Sequence, residues 1–552
     1  MQQEVSESQD RYLVILVLFL SYMAKTFVFR NLVDADSGLS PLMIAGVYAE
    51  SAAVAAMFAC LLLLIRNIWP NVILLCVTDL WLLANVLYYN ANSFLLDWEV
   101  ILFTNQIRGF ESSILSYIAW EQLIFPFTSI VAAVCVIVFS PFRQKKDGAP
   151  QKEIFIVLAC VIVFFLGGCF AQWLNLNKQT KAVTNYLQKT ERRRFYKNHS
   201  PAAHLGYVVY DAIIECVFNI QSCAPLTTEE KELLSVILTD QDEDYFSPQN
   251  HLVFILVESF EAWSMDATDI NGTDVTENLN RFVKNHSVLL CKNVLSQQKY
   301  GRSGDGQLIT QTGLLPLQNG VTCMRYGGNV YPNFAHFYPN SVVIDPYKNV
   351  WNQRVTTYSY GYKRLRESDR IGCTDSVIFC RTREELEHAT LPTCVLAITI
   401  DTHAPFTSVP ITLDLADKYN QTEQAYLQAV HYFDKHLGRF LDWADTALVM
   451  QNSTIVITAD HNHFPVSESR GRCPLIIKSP KITKTFIVSN AWQMDIFPTV
   501  LSAIGNDTYS WHGFGINLTD SVSNRAISVA EANKLSDKLI RNNFFLHSIY
   551  EE

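Results

Sequence analysis

Three short apolar runs beyond residue 250 each end on residues able to bind a divalent cation. Leu252–Val257 runs into Glu258, Val395–Ile400 into Asp401 and His403, and Thr454–Thr458 into Asp460 and His461. A single acidic residue after a strand is ordinarily a helix cap. Carboxylates and imidazoles closing three strands are instead the donor set of a divalent-metal site. A nucleophile stands in Gly301-Arg302-Ser303-Gly304-Asp305, where a glycine-flanked serine precedes a helix expected over Gly306–Thr312. The amino end of a helix favours anions, and a cation beside the hydroxyl would lower its pKa. The competing reading of Ser303 is a plain helix cap. His463, two residues beyond His461, is either a further ligand or a surface residue, and the surface is expected.

These residues need a scaffold that brings strand ends together. Runs at Leu252–Val257, Ser341–Ile344, Val395–Ile400, Thr454–Thr458 and Leu475–Ile477 are rich in Val and Ile, as strands buried on both faces are. Helical patterns lie between them. The clearest is Thr422–Leu448, where Tyr426, Ala429, Val430, Phe433, Leu437 and Phe440 share a face. Alternating strands and helices predict an α/β domain with a mostly parallel sheet, over residues 251–552. In such sheets the ligand site lies at the carboxyl ends of the strands.

The first third of the 552-residue chain is different. Apolar segments at Tyr12–Phe29, Leu42–Ile65, Asn71–Ala91, Ser113–Phe139 and Ile154–Leu174 are each long enough to cross a bilayer, predicting a five-helix transmembrane domain over residues 1–175. Residues 176–250 are expected to form a juxtamembrane connector, helical around Ala202–Phe218. Met1–Asp10 holds no basic residue, so a cleaved signal peptide fits poorly. Arg66, Arg143, Lys145, Lys146 and Lys152 place the second and fourth loops in the cytoplasm, which puts everything after Leu174 outside. Lys178, Lys181, Lys189, Arg192, Arg193, Arg194 and Lys197 form a basic stretch suited to the outer bilayer surface. Lys25, Glu50, Asp79 and Glu121 fall within the apolar runs, where they either pair with one another or make a polar entry for lipid head groups.

With 17% charged residues, 12% aromatics and a net charge of -10, the chain is not disordered, and no nucleic-acid partner is expected. Of 13 cysteines, five lie in apolar runs, leaving eight outside. Cys216 with Cys223, and Cys373 with Cys380, are close enough in sequence to pair. No Cys-x-x-Cys spacing offers a zinc site.

Val-Glu-Ser-Phe at 257–260, Gly-Arg-Ser-Gly-Asp at 301–305, Trp-Asn at 351–352, Thr-His-Ala-Pro-Phe at 402–406 and Ala-Asp-His-Asn at 459–462 together resemble the lipoteichoic acid synthase family. Its members are membrane-anchored proteins of the alkaline phosphatase and sulfatase superfamily. The resemblance covers nearly the whole chain. It implies an alkaline phosphatase/sulfatase-like domain after the transmembrane helices, and a single divalent metal, manganese before zinc or magnesium, held by Glu258, Ser303, Asp460 and His461. It makes Ser303 the nucleophile in place of the family's usual threonine, His403 a substrate-phosphate contact, and Trp351 part of the head-group pocket. Where lipoteichoic members place an arginine two residues after the tryptophan, ungapped alignment puts Gln353, with Arg354 one further on. Ile344 falls at the position of a pocket histidine. The transferred group is therefore phosphoglycerol or phosphoethanolamine.

The implied activity is transfer of a phospholipid head group through a covalent phosphoserine to an extracytoplasmic glycan or lipid, by a multi-pass protein of the cell membrane. A hydrolase of the same superfamily, phosphodiesterase or sulfatase, is an alternative. Ser303-Gly-Asp-Gly-Gln lacks the Pro and Arg that sulfatases need for formylglycine formation. A non-catalytic membrane sensor would predict decay at Glu258, Ser303, Asp460 or His461, and all four are present.

Overall fold

The computed structural model describes residues 2–36, 39–64, 68–92, 95–96, 117–139, 199–218, 225–238 and 246–546, with short gaps at 319, 349, 369–372, 405, 407–408, 417, 465–466, 468–469 and 521–524. The chain forms two compact units, Met1–Phe218 and Asn219–Glu552.

Among the described residues of the first unit, four helices contain stretches long and apolar enough to cross a membrane: Leu13–Leu32, Pro41–Ala59, Trp69–Asn90 and Trp120–Val138. They fall on the first four expected segments. The fifth, Ile154–Leu174, lies outside the described residues, as does the whole basic stretch after it. Of the four ionisable residues in the apolar runs, Lys25 and Asp79 pair with each other and Glu50 is partnered from outside these helices. Lys25, only 2% exposed, donates to Asp79 at 2.5 Å and to the Ser129 hydroxyl. Glu50 accepts from the Ser200 amide at 3.2 Å and the Ser200 hydroxyl at 2.9 Å, and lies 3.3 Å from His199 Nδ1. Burying a charge costs least when it is paired and hydrogen-bonded. A further helix, Pro201–Phe218, follows the Ser200 contact.

The second unit is built on a nine-stranded sheet. Its strands are β1 (Leu252–Val257), β2 (Val288–Leu295), β3 (Asn340–Asp345), β4 (Arg364–Glu367), β5 (Thr393–Ile398), β6 (Thr454–Ala459), β7 (Cys473–Lys478), β8 (Phe486–Val488) and β9 (Ala491–Trp492). The order is β4-β3-β5-β1-β6-β7-β2-β8, with β9 also on β2, and only β7 runs against its neighbours. β1 and β6 are buried along their whole length, as central strands covered by helices on both faces must be.

All five expected strands are present. β5 stops at Ile398, two residues early, because the Ile400 amide is taken by a side chain, the carboxylate of Asp375. The long amphipathic helix runs Gln421–Thr446 and opens with a capping box between Asn420 and Glu423. β4, with the sequence Arg-Leu-Arg-Glu, lies at an edge of the sheet and has no apolar run; β2 opens on the apolar Val288–Cys291 but continues into Lys292 and Asn293. Cys373 and Cys380 are unpaired, and Cys223 lies outside the described residues.

Candidate active site

β1 and β6 are adjacent and parallel, with Val257 paired to Ala459, so the residues that follow them, Glu258 and Asp460, emerge side by side at the carboxyl edge. Asp460 Oδ1 accepts from the amides of Ser259 at 2.8 Å and His461 at 2.7 Å, which ties the two strand ends together. Ser259 has a positive φ of 51°, and its hydroxyl donates to Glu258 Oε1 at 2.8 Å. This residue stood inside the Val-Glu-Ser-Phe motif, but nothing in its type singled it out.

Ser303 opens the helix Ser303–Thr312, three residues earlier than expected. Arg302 before it adopts φ 44° and ψ −116°, a strained turn for a side-chain-bearing residue. Asp305 Oδ2 accepts from the Lys299 and Gly301 amides at 2.7 and 2.9 Å, closing the loop that delivers the serine. The result is a half-buried Ser303 whose Oγ lies 3.1 Å from Glu258 Oε2 and 3.2 Å from His461 Nε2. His461 Nε2 is in turn 3.5 Å from both Glu258 Oε1 and Asp460 Oδ2. Three strand-end residues and one helix-start residue thus converge.

Glu258, Asp460 and His461 are all buried, and their ligand atoms lie within 4.8 Å of one another. Burial, then the Asp460 charge, pushes the Glu258 carboxyl above the usual range, and burial likewise raises Asp460. Burial pushes His461 down to about 4, so its imidazole is neutral. The His461 Nδ1 lies 3.1 Å from the Asn462 carbonyl, which fixes the proton there and leaves Nε2 with its lone pair toward Ser303. Two acidic groups strained by burial, a neutral imidazole and a hydroxyl are a donor set that a divalent cation would satisfy.

Asp401 does not join this set. Its Oδ2 accepts the Asp375 amide at 2.7 Å, so a carboxylate at the end of the β5 run is spent on the loop. His403 is half-buried, with Nδ1 at 2.6 Å from the Ala404 carbonyl. His463 is half-buried rather than at the surface. Its ring stacks with Tyr426 and meets Phe406 and Phe464 edge-on, an aromatic setting that the spacing from His461 could not reveal.

Trp351 backs onto the serine helix: a Cβ built on Gly304 would lie 3.6 Å from the Trp351 Cβ. Trp351 and Asn352 have φ of 52° and 57°, a double left-handed turn held by the Asn352 side-chain amide on the Cys323 carbonyl at 3.0 Å. Gln353 is buried and bonds Thr357 at 3.3 Å. Arg354 is exposed and grips both Glu367 oxygens at 2.7–2.9 Å. Ile344 is fully buried within β3.

The amino-terminal 222 residues match a family model described as the lipoteichoic acid synthase N-terminal domain, and residues 250–506 match the sulfatase model. The chain is 23% identical over 479 residues to lipoteichoic acid synthase 1 of Bacillus subtilis, covering 79% of this chain and 73% of that protein. It is 21% identical over 494 residues to lipoteichoic acid synthase of Staphylococcus aureus, covering 81% and 74%. Among solved structures, the integral membrane lipooligosaccharide phosphoethanolamine transferase A of Neisseria meningitidis superposes with a TM-score of 0.57 at 13% identity, over 90% of this chain and 96% of that one.

Proposed function

The chain is a lipoteichoic-acid-synthase-like member of the alkaline phosphatase and sulfatase superfamily, and on that premise we propose a membrane-bound phosphotransferase that moves a phospholipid head group. The observation that carries this reading is the approach of Ser303 Oγ to both Glu258 Oε2 and His461 Nε2. A serine used only as a helix cap would turn its hydroxyl to a backbone amide of its own helix. Here the hydroxyl faces the metal-type cluster instead.

The cation would be held by Glu258, Asp460, His461 and Ser303, manganese being preferred over zinc or magnesium. Bound there, it would supply Lewis-acid stabilisation of the charge that develops on the phosphoryl group. The protein's own part begins with Ser303, whose proton passes to Glu258 Oε2, 3.1 Å away; His461, with Nδ1 on the Asn462 carbonyl, keeps Nε2 for the cation. The freed Oγ attacks the phosphorus of the donor diester. The bond from phosphorus to the glycerol oxygen of the lipid breaks, and diacylglycerol leaves with a proton. Protonated at both ring nitrogens, His403 would supply that proton from Nε2, with Nδ1 on the Ala404 carbonyl. The head group is now esterified to Ser303. An acceptor hydroxyl then attacks the same phosphorus, loses its proton to the site, and returns Ser303 to the hydroxyl form.

Trp351, with Gln353 and Arg354 beyond it, would line the head-group side. The absence of an arginine at 353 keeps both phosphoglycerol and phosphoethanolamine as candidate cargoes. The B. subtilis and S. aureus relatives are named for lipoteichoic acid synthesis and the N. meningitidis protein for phosphoethanolamine transfer, which supports this pair. The basic loops at Arg66 and at 143–152 support an amino terminus in the cytoplasm, a catalytic unit outside the cell membrane, and a glycan or lipid acceptor there.

The test is incubation of the full chain in detergent with Mn²⁺ and fluorescent-acyl phosphatidylglycerol or phosphatidylethanolamine. Labelled diacylglycerol from one lipid, absent with Ser303→Ala and without metal, is the expected result. Release from neither lipid by a metal-loaded protein would overturn a phospholipid donor.

A further inference from the structure

The loop that carries His403 is fastened from two sides, and one fastening comes from a residue that no motif includes. On one side it is registered against Glu258: the Glu258 amide donates to Thr399 Oγ1 at 3.2 Å, and the Thr402 hydroxyl donates to the Glu258 carbonyl. On the other side stands Asp375, the first residue of the helix Asp375–Glu387. Its Oδ1 accepts the amides of Ile400 at 2.7 Å and Asp401 at 3.2 Å, while its own amide donates to Asp401 Oδ2 at 2.7 Å. Asp375, Thr399 and Thr402 are all completely buried. The His403 amide then donates to the Ile400 carbonyl at 2.9 Å, so the turn that aims the imidazole starts at the peptide Asp375 holds.

We propose that Asp375 is a positioning residue for His403, setting the loop of residues 399–403 against Glu258 so that the imidazole faces the phosphoryl group on Ser303. The inference rests on the reading of His403 as a phosphate-side residue. Asp375 touches neither the nucleophile nor any of the metal-ligand set in this structure. Two buried amides without their acceptor would draw the loop toward any other partner, and a displacement of about 1 Å at a reacting group can cost on the order of 100-fold in rate. A carboxylate is also what closes the ladder here: β5 ends where Asp375 takes over the amides that a neighbouring strand would otherwise receive.

The experiment is a double-mutant cycle in the full chain, reading diacylglycerol release, with melting temperature and Mn²⁺ binding as controls. Asp375→Ala is expected to lower kcat by about 10- to 100-fold with Mn²⁺ affinity unchanged, and Asp375→Asn, which keeps the acceptor oxygen, to stay within about threefold of the parent. In a His403→Ala background, Asp375→Ala should cost less than about twofold more, because there is no imidazole left to misplace. If Asp375→Ala does not fold, Asp375→Ser takes its place in the cycle. Full additivity with His403→Ala, or an unchanged kcat in Asp375→Ala, would overturn the proposal. An unchanged rate in His403→Ala alone would instead overturn the reading of His403 on which it rests.

Discussion

Gly306 and Asp460 meet so closely that a Cβ built on the glycine would stand 2.0 Å from the Asp460 carbonyl oxygen. The serine helix thus lies directly on the turn that carries two of the candidate ligands, and the same carbonyl accepts the Gln493 side-chain amide at 2.6 Å. Backbone on backbone leaves no flexible side chain to move aside. Gly306→Ala should push the helix off the turn, costing about 1–3 kcal/mol in stability and loosening Mn²⁺ binding. Thermal melts with and without Mn²⁺ check this; an unchanged metal-induced shift would show that the helix and turn move independently.

Ser303→Ala is the sharpest test of the chemistry. It removes the hydroxyl that lies 3.1 Å from Glu258 Oε2 and 3.2 Å from His461 Nε2; the nearby Ser259 hydroxyl is turned to Glu258 Oε1 and lies 3.5 Å from His461 Nδ1. Diacylglycerol release should fall by on the order of 1,000-fold or more, while the protein stays folded. Intact-mass measurement after mixing with donor lipid should show the head-group phosphate adduct in the parent and none in the variant.

Metal affinity should rise with pH, and the reason can be assigned to residues. Glu258 and Asp460 hold their protons above the usual carboxylate range, so a cation must displace them. His461, pushed down to about 4, is already neutral and contributes no proton above that. Calorimetric titration in buffers of differing ionisation enthalpy should therefore find proton release that grows as pH falls toward the carboxylate range. Cation binding with no proton release across this range would contradict the assignment.

How much of this could be read from the amino acids depends on where each signal sits. The central strands were legible because a strand covered on both faces must be apolar throughout, and β1 and β6 are. Glu258, Asp460 and His461 were legible because they stand at the ends of those runs. The edge strand β4 was not, since Arg-Leu-Arg-Glu at a sheet edge shows no apolar run. Asp401 looked like a ligand by the same strand-end rule that worked elsewhere. It is instead turned away by Asp375, 26 residues earlier in the chain, through a contact no local pattern encodes. Asp375 and Ser259 were missed for that reason: their roles come from which backbone amides they meet.

Asp345, at the carboxyl end of β3, offers a stability test separate from the metal. Burial pushes its carboxyl up to about 7, with only the Tyr347 amide, at 2.9 Å, favouring the charge. Its folded pKa is above its unfolded value, so the folded state keeps a proton that the unfolded state releases. Stability should therefore fall as pH rises from about 4 to 7 and level off above that, by an amount on the order of a few kcal/mol. Asp345→Asn keeps the acceptor for Tyr347 and should flatten the slope. Urea titrations of metal-free protein across this range measure it; a slope that survives in the variant would place the effect elsewhere.

In the first unit, the buried pair of Lys25 and Asp79 allows a test of whether the charges serve only each other. Lys25→Met leaves Asp79 facing apolar helix surface without its cation, and Asp79→Leu strands Lys25, which is only 2% exposed. Breaking a buried pair from one side costs about 3–5 kcal/mol, whereas replacing both partners with apolar residues of similar volume is often neutral. Each single variant should therefore lower the melting temperature of the detergent-solubilised chain, and Lys25→Met with Asp79→Leu should recover most of the loss. Lipid turnover should follow folding in all three. If the double variant melts like the parent but has lost diacylglycerol release, the pair does more than hold the helices together, and the polar entry for head groups becomes the better account of Lys25.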